Sequence, residues 1–378
     1  MKTLIAVTHL LGTGHLSRAL TLARAFAAAG HQVRVVSGGF PAPQLNADGV
    51  AVTQLPPLRS DGVDFTRLLG EDGYPADGSY LGRRQAAVCA ALRDMQPDVL
   101  ITELYPFGRR SLRQEFLALL EAARAMPRPP VVLSSIRDIL APPSKPEKAE
   151  KTDAVIGRFY DAVLVHSDPA ATRLDTSWPV SEMLAAKLRY TGYVAPSAAG
   201  PHPEQAGRGE VLVSAGGGSV GTPLYRAALD AARLMPDTPW RLLVGGADAA
   251  DRIAGFSAAG SPAVLEPARK DFRQMLSHAA ASVSMCGYNT ALDLLQAGTP
   301  AVLVPFDAGN ETEQGLRAAS LAPLNGFEVV KTAALTPTAL CAAVKAALRA
   351  PPRVAGGFRF DGAARTVEIA AELAGGRG

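Results

Sequence analysis

The sequence predicts an α/β protein of two doubly wound, Rossmann-like domains. Three observations carry that prediction. Short apolar runs alternate with amphipathic stretches through both halves, a glycine-rich turn follows the first strand of each half, and a polar segment rich in Pro, Gly and Ala separates the halves. At 378 residues the chain is too long for one ordinary core, which fits two domains.

The first half reads as strands at 3–7, 32–37, 98–102, 131–135 and 162–165, with helical patterns between them. "HLSRALTLARAFAAAG" is the clearest helix: Leu16, Leu20, Ala23 and Ala27 share one face and Gly30 ends it. Residues 55–84 read as a long irregular segment, the kind of loop that often binds a ligand. Residues 195–209 read as the interdomain linker. The pattern then restarts, with strands at 210–215, 240–246, 263–266, 281–285, 301–306 and 327–331. Pro351 and Pro352 interrupt the series, and 361–374 forms a last helix. The domains are therefore expected at 1–195 and 209–350. Two such sheets facing each other make a cleft at the carboxyl ends of their strands, the usual ligand position in doubly wound sheets.

Composition excludes several classes. The chain is 48% hydrophobic and 19% charged with a net charge of +3, so no nucleic-acid partner is required. Cys89, Cys286 and Cys341 are far apart and lack CxxC spacing, as expected of reduced thiols in a cytoplasmic protein. The opening apolar run breaks early into glycine and does not read as a signal peptide, and no run approaches the ~18 apolar residues of a membrane span. Nothing in the spacing calls for a metal or a cofactor.

Three motifs carry chemistry. "LLGTGHLSR" (10–18) begins like a dinucleotide loop with Gly12 and Gly14, but Ser17 stands at the third glycine and the next strand ends "VVSGG" without the ribose acid. What remains is a tight turn that sets His15 at a helix N-terminus, where the positive helix end disfavours imidazolium. His15 is thus either a proton acceptor or a residue that hydrogen-bonds its own turn. "SAGGGSVGTPL" (214–224) places Gly216, Gly218 and Gly221 directly after a strand, again without the ribose acid, so its anion-binding meaning survives. Backbone N–H groups of Gly217, Gly218 and Ser219 can cradle a diphosphate, with Thr222 as cap and Pro223 at the first helical position; a packed glycine turn is the alternative. In "SMCGYNTALDLLQAGTPAVLVPFDAGNETEQ" (284–314), Gly287, Tyr288 and Asn289 form a loop, Thr290 begins a helix and Asp293 falls in its first turn. Glu311, Glu313 and Gln314 open the following helix on the same edge. Carboxylates and amides clustered beside a phosphate loop suit a nucleotide sugar, although each alone could be a helix cap or a solvated charge.

These motifs resemble GT-B glycosyltransferases with a family 28 C-terminal domain, the group of the lipid II-forming N-acetylglucosaminyltransferase and of predicted bacterial glycosyltransferases. The likeness spans essentially the whole chain and is most specific in "GTGH", "GGGS" and "GYNTALDLLQAGTPAVLVPF…ETEQ". It implies a GT-B fold whose last helix returns to the first domain, and inverting, metal-independent transfer from a uridine diphosphate sugar. His15 is the implied base; Glu103, at the end of "DVLITE", is placed to orient or charge-balance it, with a helix cap as the alternative. The loop with Gly14 lies under the donor, Gly216 to Ser219 hold the diphosphate, and Arg269 contacts the nucleotide base; Arg18 either faces the diphosphate or is a solvated helix residue. Gly287, Tyr288, Asn289, Thr290 and Glu311 line the donor site, Asp293 holds the ribose, and Glu313 and Gln314 hold the sugar. The chain departs from the peptidoglycan enzyme in carrying Asp293 where that enzyme has Glu. "GHLSR" is closer to nucleotide-sugar hydrolases, so a hydrolase or epimerase and a non-catalytic binding protein stand as alternatives. The acceptor is unassigned; Phe107, Arg109, Arg110, Arg137 and Asp138 form a basic–aromatic group that suits an anionic acceptor or a peripheral contact at the inner membrane face, with ordinary packing and salt bridges as the equal alternative.

Overall fold

The computed structural model describes residues 1–10, 13–43, 45–60, 67–257, 260, 262–307, 311–351, 353 and 357–376. The chain divides into two compact units: residues 1–169, 178–194 and from Asp361 onward in the first, 170–177 and 195–360 in the second.

In the first unit β1 (Lys2–Val7) leads into α1 (Gly14–Ala28), followed by β2 (Gln32–Gly39), β3 (Ala51–Ser60), the short β4 (Leu68–Leu69) and α2 (Gly78–Met95). Then come β5 (Val99–Glu103), α3 (Arg113–Arg124), β6 (Val131–Arg137), α4 (Pro146–Phe159), β7 (Ala162–His166), α5 (Glu182–Lys187) and β8 (Leu188–Tyr190). Among the described residues the sheet order is β4-β3-β2-β1-β5-β6-β7-β8, parallel except for the β3–β4 pair. The order reverses between β1 and β5, and a crevice outside the carboxyl ends of the strands at such a reversal is where doubly wound sheets take ligands. The central strands are apolar on both faces because helices cover both, and Ile5, Val35, Ile101 and Leu133 are all fully buried.

Residues 55–84 are not the irregular loop the sequence suggests. Residues 55–60 complete β3, 78–84 begin α2, and 61–66 lie outside the described residues. The two prolines in "AVTQLPPLRS" mask the strand. Arg84 explains the order of the region: fully buried, it bonds Glu115 at 3.0 and 3.1 Å and the backbone carbonyls of Gly38 and Pro56.

The second unit holds β9 (Val211–Ser214), α6 (Thr222–Leu234), β10 (Trp240–Val244), α7 (Ala249–Ser257), β11 (Val264–Pro267) and α8 (Phe272–Leu276). It continues with β12 (Ala281–Ser284), α9 (Tyr288–Ala297), β13 (Ala301–Leu303), α10 (Glu313–Leu321), β14 (Phe327–Val329) and α11 (Pro337–Arg349). Its order is β11-β10-β9-β12-β13-β14, all parallel, with the reversal between β9 and β12. Segment 195–209 is less free than a linker: Arg273 and Gln296 bond the carbonyls of Ser197 and Pro196, and buried His202 pairs with Asp271 at 2.9 Å. After α11, α12 (Gly362–Gly375) packs on α1 in the first unit.

Candidate active site

In the first unit the reversal point gathers side chains from separate stretches. His15 is the second residue of α1, which follows β1, and Glu103 is the last residue of β5. Because β1 and β5 are adjacent, 88 positions of sequence close to a 2.9 Å hydrogen bond between His15 Nδ1 and Glu103 Oε1. Glu103 is 1% exposed and the His15 ring 17%. Burial alone would raise the Glu103 carboxyl, but the Arg18 charge and hydrogen bonds from His15 and Arg18 hold it well below the usual carboxylate range. Burial pushes His15 down to about 4; Glu103 opposes this, and the charges of Arg18 and Arg109 add to it. The imidazole is therefore neutral at pH 7. An ionised Glu103 can only accept, so the 2.9 Å contact puts the proton on Nδ1 and leaves Nε2 its lone pair; Arg18 Nη2, 3.2 Å from the same nitrogen, then has Glu103 and not Nδ1 as its acceptor.

Arg18 departs from the expectation of a residue facing a diphosphate. It is 7% exposed, and its guanidinium lies on Glu103. The helix surface would otherwise leave a buried carboxylate without a cation, so Arg18 acts first as its counter-charge. Gly14 begins α1 with open space where a side chain would stand, and Gly12 lies outside the described residues. The basic–aromatic group also changes character. Phe107 is 3% exposed and packs edge-on against Trp178 at 5.1 Å, and Arg109 donates to the Thr8 carbonyl at 2.5 Å. Phe107 is core, not surface.

In the second unit the loops after β9 and β12 flank the reversal point. Gly216 is left-handed at φ +84°, and Gly216, Gly217 and Gly218 have open space beside their Cα atoms. Ser219 Oγ donates to the Asp248 carboxylate. The cap differs from expectation: Gly221, left-handed at φ +83°, caps α6, while Thr222 is its first residue and takes a 3.4 Å contact from Arg252. The missing ribose acid has a steric cause. A Cβ on Gly245 would lie 2.1 Å from the Gly216 carbonyl, because the glycine loop folds against the end of β10. The end of β2 repeats the device, a Cβ on Gly39 falling 2.4 Å from the His9 carbonyl.

The α9 region is shifted from its expected register. Gly287 is the cap and Tyr288, Asn289 and Thr290 form the first turn, so Asp293 sits in the second turn. Its Oδ1 accepts from Arg273 Nε at 2.8 Å, and burial raises its carboxyl. Arg317, 2% exposed, lies over the Tyr288 ring and donates to the Cys286 carbonyl. Arg269 is held by Asp271 at 2.8 Å. Glu311, one residue before the Thr312 cap of α10, accepts from the Glu313 and Gln314 amides at 2.6 and 3.2 Å, and Gln314 Oε1 accepts from the Phe306 amide at 3.1 Å. Glu313 opens α10. Ser135, His166, Arg273 and Arg317 escaped the sequence reading. Their only signal was a polar residue at a strand's carboxyl end or on a helix otherwise read as apolar.

Comparison with known proteins bears on both halves. Residues 212–356 match the model of the glycosyltransferase family 28 C-terminal domain, and residues 13–196 that of the glycosyl transferase 4-like domain. A Brucella anthropi protein named UDP-N-acetylglucosamine--N-acetylmuramyl-(pentapeptide) pyrophosphoryl-undecaprenol N-acetylglucosamine transferase is 34% identical over 145 residues, 36% of this chain and 38% of the relative. An Agrobacterium fabrum protein of the same name is 29% identical over 166 residues, 42% of this chain and 44% of the relative. The match thus spans well under half the length of these relatives. The crystal structure of Acinetobacter baumannii MurG has the same fold, at TM-score 0.63 and 18% identity over 98% of this chain and 100% of that one. Glycosyltransferase VinC in complex with dTDP follows at TM-score 0.59 and 16% identity, over 98% and 95%. Residues 212–356 thus carry a glycosyltransferase family 28 C-terminal domain, on a chain whose two parallel doubly wound units have the GT-B fold.

Proposed function

We propose that the protein is an inverting glycosyltransferase that moves a sugar from a uridine diphosphate sugar to an acceptor hydroxyl without a metal. The observation that carries this reading is the buried His15–Glu103 pair, whose neutral imidazole keeps its Nε2 lone pair. In this mechanism Nε2 takes the acceptor proton, and the freed oxygen bonds to the anomeric carbon. The bond from that carbon to the diphosphate breaks, and its electron pair goes to the leaving oxygen. The N–H groups of Gly217, Gly218 and Ser219 and the positive end of α6 stabilise the departing charge. Asp293 takes the ribose hydroxyls, sharing its carboxylate with Arg273. Arg269 lies near the base, and Glu313 and Gln314 meet the sugar. The relatives' names support a UDP-sugar donor and a lipid-linked acceptor, which would bring the protein to the cytoplasmic face of a membrane. No helix among the described residues is long and apolar enough to cross one.

A nucleotide-release assay over UDP-, GDP- and dTDP-sugars, with and without cell extract as acceptor, tests this reading. UDP release that requires extract and survives EDTA is expected. Release without any acceptor would make the protein a hydrolase, and turnover confined to dTDP- or GDP-sugars would overturn the donor assignment.

A further inference from the structure

Glu103 is held from behind as well as in front. The fully buried Ser135 hydroxyl lies 2.6 Å from Glu103 Oε2, the oxygen of the carboxylate that His15 does not take. His166, also fully buried, sets Nε2 2.9 Å from Ser135 Oγ and Nδ1 2.9 Å from Thr191 Oγ1. Strand register builds this row. Glu103 of β5 pairs with Ser135 of β6, and Ser135 pairs with Leu164 of β7. His166 is two residues beyond Leu164 and so faces the same side.

The direction of each proton follows from the charge on Glu103. An ionised carboxylate has no proton to give, so the Ser135 hydroxyl donates to Oε2. Its oxygen is then left as an acceptor, and His166 fills it with an Nε2 proton. A neutral His166 so protonated presents a bare Nδ1, which must take the single Thr191 hydroxyl proton in place of the Gly192 carbonyl 2.7 Å from that oxygen. Burial keeps His166 neutral, pushing it down to about 3, with the Arg18 charge adding to the effect. A space-filling role needs none of these distances.

We infer that Ser135 and His166 are positioning residues that lock the Glu103 carboxylate in the orientation that takes the Nδ1 proton of His15 and leaves Nε2 as the proton acceptor. The inference rests on His15 being the base proposed above. Neither residue touches the substrate.

Long-range proton–nitrogen spectra of protein labelled with ¹⁵N-histidine test the lock without any substrate, signals being assigned with the His15→Gln and His166→Gln variants. At pH 7, His15 is expected with its proton on Nδ1 and His166 with its proton on Nε2. Ser135→Ala should move the two His15 nitrogens toward a tautomer average. It should also lower kcat about tenfold, the scale of one hydrogen bond to a charged group, with donor KM unchanged. Ser135→Thr, which keeps the hydroxyl, should restore both. If Ser135→Ala does not fold, His166→Phe, which removes the donor to Ser135, is read the same way through the His15 signals. A wild-type His15 protonated on Nε2, or His15 signals that ignore both substitutions, overturns the lock. Expected spectra in a protein that transfers no sugar would overturn the functional reading and leave the lock standing.

Discussion

His15 carries the most direct test at the scale of single residues. General-base catalysis contributes about 10²–10⁴-fold, so His15→Ala should lower kcat by that factor while UDP affinity, measured by calorimetry, stays nearly constant. A fall in binding with kcat unchanged would make His15 a donor contact. With its conjugate acid at about 4, the acid limb of kcat/KM should fall near pH 4, well below the ordinary histidine value of 6.5. A limb near 6.5 would mean the imidazole is not desolvated. The same residues set the acid stability of the fold. His15 and His166 titrate at about 4 and about 3 when folded and near 6.5 when unfolded. Below 6.5 the unfolded chain binds more protons than the folded one, so stability is full above that pH and is lost as pH falls toward the folded values. Melting temperature should drop between pH 6.5 and 4, and His166→Gln, which cannot titrate, should flatten that slope. An unchanged slope would remove His166 from the account.

At the scale of elements, the loop after β9 and the helix α9 are tested by the ligand they are assigned. Calorimetry should show UDP binding more tightly than UMP if the loop over Gly216 to Ser219 holds a diphosphate; equal affinities would remove that role. Asp293→Ala should weaken UDP by about 1.5–3 kcal/mol, the scale of a hydrogen bond to a charged group. Gly245→Ala probes the loop's seat. The added methyl meets the Gly216 carbonyl at 2.1 Å, so the loop must shift and UDP affinity should fall even though Gly245 need not touch the ligand. Unaltered binding would show that the loop position is not set by β10.

At the scale of the whole chain, the last helix belongs to the unit built by the first residues. Val367, Ile369 and Ala370 of α12 are buried in the same core as Leu16, Leu20 and Phe26 of α1. A chain ending before Asp361 should therefore lose thermal stability in its first unit while the second, with its separate core around Trp240 and Val283, is unaffected. Calorimetry or unit-specific proteolysis reads the difference. Equal losses in both units, or none, would contradict the assignment of α12.

The sequence by itself determined the class of fold, because strand–helix alternation with glycine turns after apolar runs has few other solutions. It also marked the turns that open α1 and α6, since a glycine cluster after a strand is legible within a few residues. It could not read β3, whose prolines contradict local propensity and whose order depends on Arg84 from a helix farther along the chain. It could set Glu103 beside His15, because both stand at the carboxyl edge of the sheet. The other pairings were out of reach: Arg18 on Glu103, Arg273 on Asp293, and the row from Glu103 through Ser135 to His166 join positions 20 to 85 residues apart. Only the strand order, by setting β1 beside β5 and β5 beside β6, decides which carboxyl ends become neighbours. Burial then decides the charge states, because a carboxylate or an imidazole takes its protonation from the partners and solvent that tertiary structure leaves it.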